Sequence, residues 1–225
     1  MATVTGKVLS VEDRVKVISK LGPVVDAIKD ITNNKYVIAG GCIASILQDE
    51  EPNDYDIYSA RNYIRHVCKD FDANPKAKLV IATKNAKTYL VDGLTIQLIV
   101  MEHVQTFTPE FKFDFKHCMN KYDPFSGALY VNYPNLIKSK TLEINPSYTI
   151  NAAVLKRLYK FAGRGYKIPT DKVNGVLAAI TNGLVNLYSD GIRNPEEDLT
   201  SYCVDGDEAA KAVVVVKETE EWLGL

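Results

Sequence analysis

A chain of 225 residues is long enough for one large domain or two small ones. With 46% hydrophobic and 24% charged residues it has the composition of a soluble globular protein. A formal net charge of −1 excludes coating of nucleic acid through overall charge, so any polynucleotide contact has to be local. No apolar run approaches the roughly 18 residues of a membrane span, and Met1–Lys7 has no signal-peptide core. Cys42, Cys68, Cys118 and Cys203 are scattered without a CxxC, which predicts reduced thiols and a cytoplasmic location without a membrane partner. With His66, His103 and His117 also dispersed, no zinc spacing emerges, although Cys118 adjoins His117.

In chain order, residues 1–10 form a loose or strand-like lead. Val11 to Thr32 reads as one or two helices, with apolar residues at helical steps, and Gly22-Pro23 suggests a break with Pro23 in the first turn of a second helix. Tyr36–Ala39 is a short buried strand, Cys42–Leu47 a short helix and Asp54–Tyr58 a strand. A helix over Arg61–Phe71 is stopped by Asp72-Ala73-Asn74-Pro75, and a strand over Leu79–Ala82 follows. Asp92-Gly93 between Lys87–Val91 and Leu94–Met101 marks a hairpin. Thr108–Phe111 starts a short helix, Gly127–Val131 is a strand with Phe113–Phe115 as its expected partner, and Asn132–Asn145 is loop-rich. Beyond residue 145 the pattern turns helical, over Ile150–Ala162, Pro169–Tyr188, Pro195–Tyr202 and Asp207–Leu223. The β-branched run Val213–Val216 leaves strand open as an alternative within the last. The expected organisation is an α+β front part, residues 1–145, with a small mixed sheet and flanking helices, and a helical part, residues 146–225.

The chemistry concentrates between Tyr36 and Tyr58. Gly40-Gly41 ends a strand and opens a helix, where unpaired N–H groups and the lack of a Cβ suit a phosphate. Twelve residues later Asp54 and Asp56 stand at i and i+2, on one face of a strand. Two adjacent carboxylates repel unless a cation lies between them, and Mg²⁺ favours one or two carboxylates together with phosphate oxygens. The alternative is a tight strand–helix turn followed by a solvated acidic loop.

This succession of apolar strand, Gly-Gly, helix and Asp-x-Asp strand resembles the signature of the DNA polymerase β-like nucleotidyltransferase superfamily. Together with Ile96-Gln97-Leu98-Ile99, Phe113-Asp114-Phe115, Cys118 and Tyr122-Asp123 it resembles nucleotidyltransferase-fold proteins of bacteriophages and large DNA viruses, over roughly residues 35–170. The resemblance implies transfer of a nucleoside monophosphate from an NTP to a hydroxyl of RNA, protein or a small molecule. Mg²⁺ or Mn²⁺ would be held by Asp54 and Asp56, with a third carboxylate on a neighbouring strand. The strand expected to carry it has Gln97, a neutral amide that ligates only through its oxygen. Asp114 is then either the third acid or a structural residue, while Asp92 and Asp123 are explained by turns.

For the triphosphate, the candidates are Gly40, Gly41 and Ser45, with Lys156, Arg157 and Lys160 on the first C-terminal helix. Lys156 and Lys160 share a face at i and i+4. Ser45 serves equally as a small packed residue, and the basic residues equally as a solvated helix face. Arg61 and Arg65 are second choices. Two rival functions stay open: a nucleotidyltransferase fold without turnover that binds nucleotide, RNA or protein, which Gln97 favours, and a viral scaffold. If the protein is viral, its place is the host cytoplasm.

Overall fold

The computed structural model describes residues 9–100, 113–145, 152–173 and 177. The chain divides into two compact units, Met1–Asn145 and Pro146–Leu225. The first carries helices α1 (Val11–Lys29), α2 (Gly41–Leu47), α3 (Arg61–Ala73) and α4 (Pro134–Lys138). Its strands are β1 (Val37–Ala39), β2 (Tyr55–Tyr58), β3 (Ala77–Ala82), β4 (Ala86–Val91), β5 (Leu94–Ile99), β6 (Asn120–Asp123) and β7 (Ala128–Val131). Described residues of the second unit form α5 (Ala152–Gly163) and a 3-10 turn at Thr170–Lys172. The predicted helix at Thr108–Phe111, most of Pro169–Tyr188 and the two last predicted helices lie outside the described residues.

The seven strands make one sheet in the order β3-β4-β5-β2-β1-β6-β7. Only β2 and β5 pair in parallel; the other neighbours are antiparallel. This is a mixed α+β architecture with flanking helices, as the sequence predicts. The β4–β5 turn has Asp92 at φ 49° and Gly93 at φ 81°, the two left-handed residues a tight hairpin needs.

The two faces of the sheet differ. Ile38, Ile57, Leu98, Ile96, Tyr89 and Tyr122 point to one side and form a single core with α1, α2 and α3. Each of these buried side chains contributes on the order of 1.5–3 kcal/mol. On the opposite side Val37, Ala39 and Tyr58 make a smaller cluster with Ile99 and Phe113. Asp56 alternates onto this second face.

Three expectations are corrected. The break at Gly22-Pro23 does not occur: α1 is continuous with Pro23 inside it. Ser10 accepts a hydrogen bond from the Asp13 N–H at the helix start. Leu21, Val24, Val25 and Ile28 are buried on both sides of the proline. Their burial outweighs the roughly 3 kcal/mol an interior proline costs. Second, Gly127–Val131 does not pair with Phe113–Phe115. β7 pairs with β6, and Phe115 forms an isolated antiparallel bridge with Ile144. Asn145 fastens the Phe113 segment instead, its N–H donating to the Asp114 carbonyl and its side-chain amide to the Phe113 carbonyl. β6 was concealed by its polar sequence, Asn-Lys-Tyr-Asp, although Asn120 and Lys121 are buried. Third, the connection 132–145 contains α4.

Candidate active site

β1 and β2 are antiparallel, so the end of β1 lies beside the start of β2. Ala39 is opposite Asp56. The Gly-Gly turn, the first turn of α2 and the two aspartates therefore share one end of the sheet. Asp54 and Asp56 are both half-buried, Asp54 immediately before β2. The buried Cys42 thiol, in the first turn of α2, is pushed up in pKa by burial first and then by the charges of Asp56 and Asp54. Both carboxylates thus bear electrostatically on one point at the start of the helix.

Gly40 has φ 96° and ψ −149°, a backbone conformation essentially restricted to glycine. A Cβ there would stand 3.0 and 3.1 Å from the Phe113 ring and 3.2 Å from Asp56 Oδ2. The first glycine is therefore required by backbone conformation and by the close approach of both Phe113 and the carboxylate. Phe113, edge-to-face with Tyr58 at 5.9 Å, covers this side of the turn. At Gly41 a Cβ would meet only Cys118 Sγ, at an ordinary 3.7 Å.

The acidic loop before Asp54 is not simply solvated. Asp49 pairs with Lys16 (2.6 Å), Glu50 with Lys140 (2.6 Å) and Glu51 with Lys20 (3.2 Å). Each exposed pair contributes roughly 0–1 kcal/mol, but the three together tie the loop to α1 and to the segment after α4. Asp49 itself adopts φ 60° just after α2.

Gln97 occupies the position in register with Asp56 on the adjacent β5. Its side-chain N–H donates to Thr88 Oγ1 on β4 at 3.1 Å. Asp114 is buried, and its Oδ1 accepts from the neighbouring Phe115 N–H at 3.1 Å. Among the described residues there is no group of three or more His, Cys, Asp or Glu side chains placed to hold a metal ion. Asp54 and Asp56 are the two carboxylates that could hold a divalent cation together with phosphate oxygens.

Ser45 is buried in α2 beside Ala44 and Ile46. Lys156, Arg157 and Lys160 lie on α5 of the second unit, Lys156 and Lys160 exposed and Arg157 half-buried. The side chain of Arg61 lies outside the described residues.

One residue escaped the sequence reading. Lys121 of β6 is in register with Ala39, which is in register with Asp56. Alternation would have found it only had β6 been recognised as a strand.

The model of the Gabija anti-defense 2 family matches residues 16–139, more than half of the chain. The chain belongs to the Gabija anti-defense 2 family. Over 171 residues it is 24% identical to Gabija anti-defense 2 of Bacillus phage SPbetaL7, covering 73% of this chain and 42% of that protein. The chain thus spans less than half the length of this curated family member. Among solved structures it resembles the Thermotoga maritima CCA-adding enzyme complexed with tRNA, with a TM-score of 0.57 at 14% identity over 92% of this chain and 53% of that one. A tRNA nucleotidyltransferase complexed with a primer tRNA and an incoming ATP analog gives a TM-score of 0.55 at 13% identity, over 90% and 60% of the two chains. A CCA-adding enzyme with CTP gives 0.52 at 17% identity, over 76% and 42%. These similarities establish a nucleotidyltransferase fold in this phage-associated family. No described helix is long and apolar enough to cross a membrane.

Proposed function

We propose that this family member is a metal-dependent nucleotidyltransferase that acts against Gabija defence by moving a nucleoside monophosphate from an NTP onto a hydroxyl of RNA, protein or a small molecule. The observation that carries the reading is the register of Ala39 with Asp56. It sets the glycine turn and both carboxylates at one end of the sheet, with Asp56 on the face opposite the helices. The names of the family and of the structural relatives support it.

In this reading the amide groups of Gly41 and Cys42, in the first turn of α2, face the β- and γ-phosphates, since first-turn N–H groups have no acceptor within their helix. Phe113 shields the Gly40 side of the turn and keeps water from it. Mg²⁺ or Mn²⁺ bound between Asp54 and Asp56 would neutralise phosphate charge and polarise the α-phosphorus. The acceptor oxygen forms a bond to the α-phosphorus, the bond to the β-phosphate oxygen breaks, and pyrophosphate leaves. The hydroxyl proton passes to a carboxylate of the site or to water, with Asp114 as a candidate base beyond the pair. Residues 1–145 then form the catalytic domain. Lys156, Arg157 and Lys160, on α5 of the second unit, are further phosphate candidates. The site of action is the host cytoplasm.

The test is incubation with each of four α-labelled NTPs, Mg²⁺ or Mn²⁺, and pooled RNA and protein acceptors, alongside the Asp54→Asn/Asp56→Asn double variant. Label transfer by the wild type alone is expected, with unchanged circular dichroism in the variant. Transfer retained in the double variant refutes the assignment. A second reading, a binder without turnover, draws on Gln97 opposite Asp56 and predicts metal-dependent NTP binding without transfer.

A further inference from the structure

Residues 113–116 and 143–145 lie side by side as a short antiparallel ribbon. Phe115 bridges to Ile144 in its middle. At one end the Lys116 N–H donates to the Glu143 carbonyl at 2.9 Å, and the Lys116 and Glu143 side chains pair at 2.7 Å. At the other end Asn145 holds two successive carbonyls. Its backbone N–H donates to Asp114 at 2.6 Å and its side-chain amide to Phe113 at 2.9 Å. Asn145 is only 6% exposed, so its amide works away from bulk water, where an unmade hydrogen bond is costly.

The Asn145 end of this ribbon reaches the candidate site through Phe113. The Phe113 ring packs on the cluster of Val37, Ala39 and Tyr58, on the face of the sheet that carries Asp56. Its edge comes within 3.0 and 3.1 Å of the position a Gly40 Cβ would take, and Asp56 Oδ2 lies 3.2 Å from the same point. Ring edge and carboxylate oxygen therefore flank one glycine. The edge-to-face contact with Tyr58, at 5.9 Å, sets the tilt of the ring, and the Asn145 hydrogen bonds set where its backbone sits. A ring held there limits the positions open to Asp56 and excludes water from one side of it. Metal-binding carboxylates gain affinity from fixed outer neighbours of this kind.

We infer that Asn145 is a positioning residue for the metal-binding carboxylate: its side-chain amide holds Phe113 against Gly40, and Phe113 holds Asp56 in the geometry that receives a divalent cation. This rests on the reading of Asp54 and Asp56 as metal ligands.

The test is calorimetric binding of Mn²⁺ to the full chain and to Asn145→Ala, Phe113→Leu, the double variant and Lys116→Met. Asn145→Ala keeps the backbone bond to Asp114 and loses the side-chain bond to Phe113. It and Phe113→Leu are each expected to bind Mn²⁺ about 10-fold more weakly, the scale of a lost outer neighbour of a metal ligand. The double variant should bind no more weakly than Phe113→Leu alone, because Asn145 acts through that ring. Lys116→Met breaks the ion pair at the other end of the ribbon. Its urea midpoint should fall while its Mn²⁺ affinity holds, which separates loss of stability from loss of position. Wild-type Mn²⁺ affinity in Asn145→Ala overturns the inference, as do losses that multiply in the double variant. If Asn145→Ala does not fold, Asn145→Ser takes its place under the same criteria. Amide hydrogen exchange supplies a readout that needs no metal: residues 38–42 should exchange severalfold faster in Asn145→Ala than in wild type. A wild type that binds no Mn²⁺ overturns the metal-site reading, and unchanged exchange in Asn145→Ala overturns the placement of Phe113 by Asn145.

Discussion

Replacing Gly40 by alanine adds a single methyl group, but it meets two obstacles at once. The backbone at φ 96° and ψ −149° lies where L-residues are strained by roughly 1–3 kcal/mol. The new Cβ would also sit 3.0 Å from the Phe113 ring and 3.2 Å from Asp56 Oδ2, so ring and carboxylate must both shift by tenths of an ångström. Overpacking of this kind costs about 1–3 kcal/mol. The combined effect is about 3 kcal/mol, large against a total stability of roughly 5–15 kcal/mol. With a urea slope of about 2 kcal/mol per molar, the unfolding midpoint should fall by roughly 1.5 M in far-ultraviolet circular dichroism. Gly41→Ala is the internal control: its Cβ meets only Cys118 Sγ at 3.7 Å in helical backbone, so its midpoint should hardly move or should rise slightly. Phe113→Leu in the Gly40→Ala background should recover part of the loss, since it removes the ring clash and leaves the backbone strain. Equal midpoints for Gly40→Ala and Gly41→Ala would refute the reasoning. Because Asp56 is displaced as well, label transfer by Gly40→Ala should fall further than its folded fraction.

Gln97→Glu places a third carboxylate directly opposite Asp56. Without metal it should cost roughly 0.2–1 kcal/mol of stability through like-charge contact, and it should raise Mg²⁺ affinity severalfold by calorimetry. Unchanged Mg²⁺ binding would mean that Gln97 does not share the metal environment. Tyr89→Phe removes the hydroxyl that donates to Asp72 Oδ1 at 2.6 Å, while Lys87 still pairs with Oδ2 at 2.7 Å. The Lys87 and then the Tyr89 hydrogen bonds hold the Asp72 pKa below the usual value. Their stabilisation is therefore present above about pH 4 and is lost as pH falls through the lowered pKa. The phenylalanine variant should lose about 1 kcal/mol near neutral pH, moderated by the exposure of Asp72, and less in acid. A difference in urea midpoint that does not shrink toward about pH 2.5 would contradict this linkage. Pro23→Ala restores a backbone donor within α1 and should stabilise the fold by roughly 2 kcal/mol after the entropic benefit of proline in the unfolded chain is subtracted, read as a raised thermal midpoint. A fall in the midpoint would show that the ring packs productively.

Local signals in the sequence were enough for the glycine turn, the Asp-x-Asp strand, the Asp92-Gly93 hairpin and the extent of α5, because each depends on neighbours a few residues away. Apolar periodicity marks the buried sides of α1 and α3, and positive φ at Asp92 and Gly93 needs only those two residue types. The continuity of α1 through Pro23 was not legible. It depends on how much surface Leu21, Val24, Val25 and Ile28 bury against the sheet, and a chain pattern does not reveal that quantity. β6 was hidden for the same reason: a strand of Asn, Lys, Tyr and Asp looks like a loop until β1 and β7 flank it. At the site, residue identities pointed to Asp54, Asp56 and the neutral Gln97. Only strand register set Ala39, Asp56, Gln97 and Lys121 in one row, and only packing brought Phe113 onto Gly40. Register and close approach are long-range properties, fixed by how the helices and strands bury their apolar faces together. The sequence alone therefore determined which chemical groups were available, and the tertiary structure decided which of them meet.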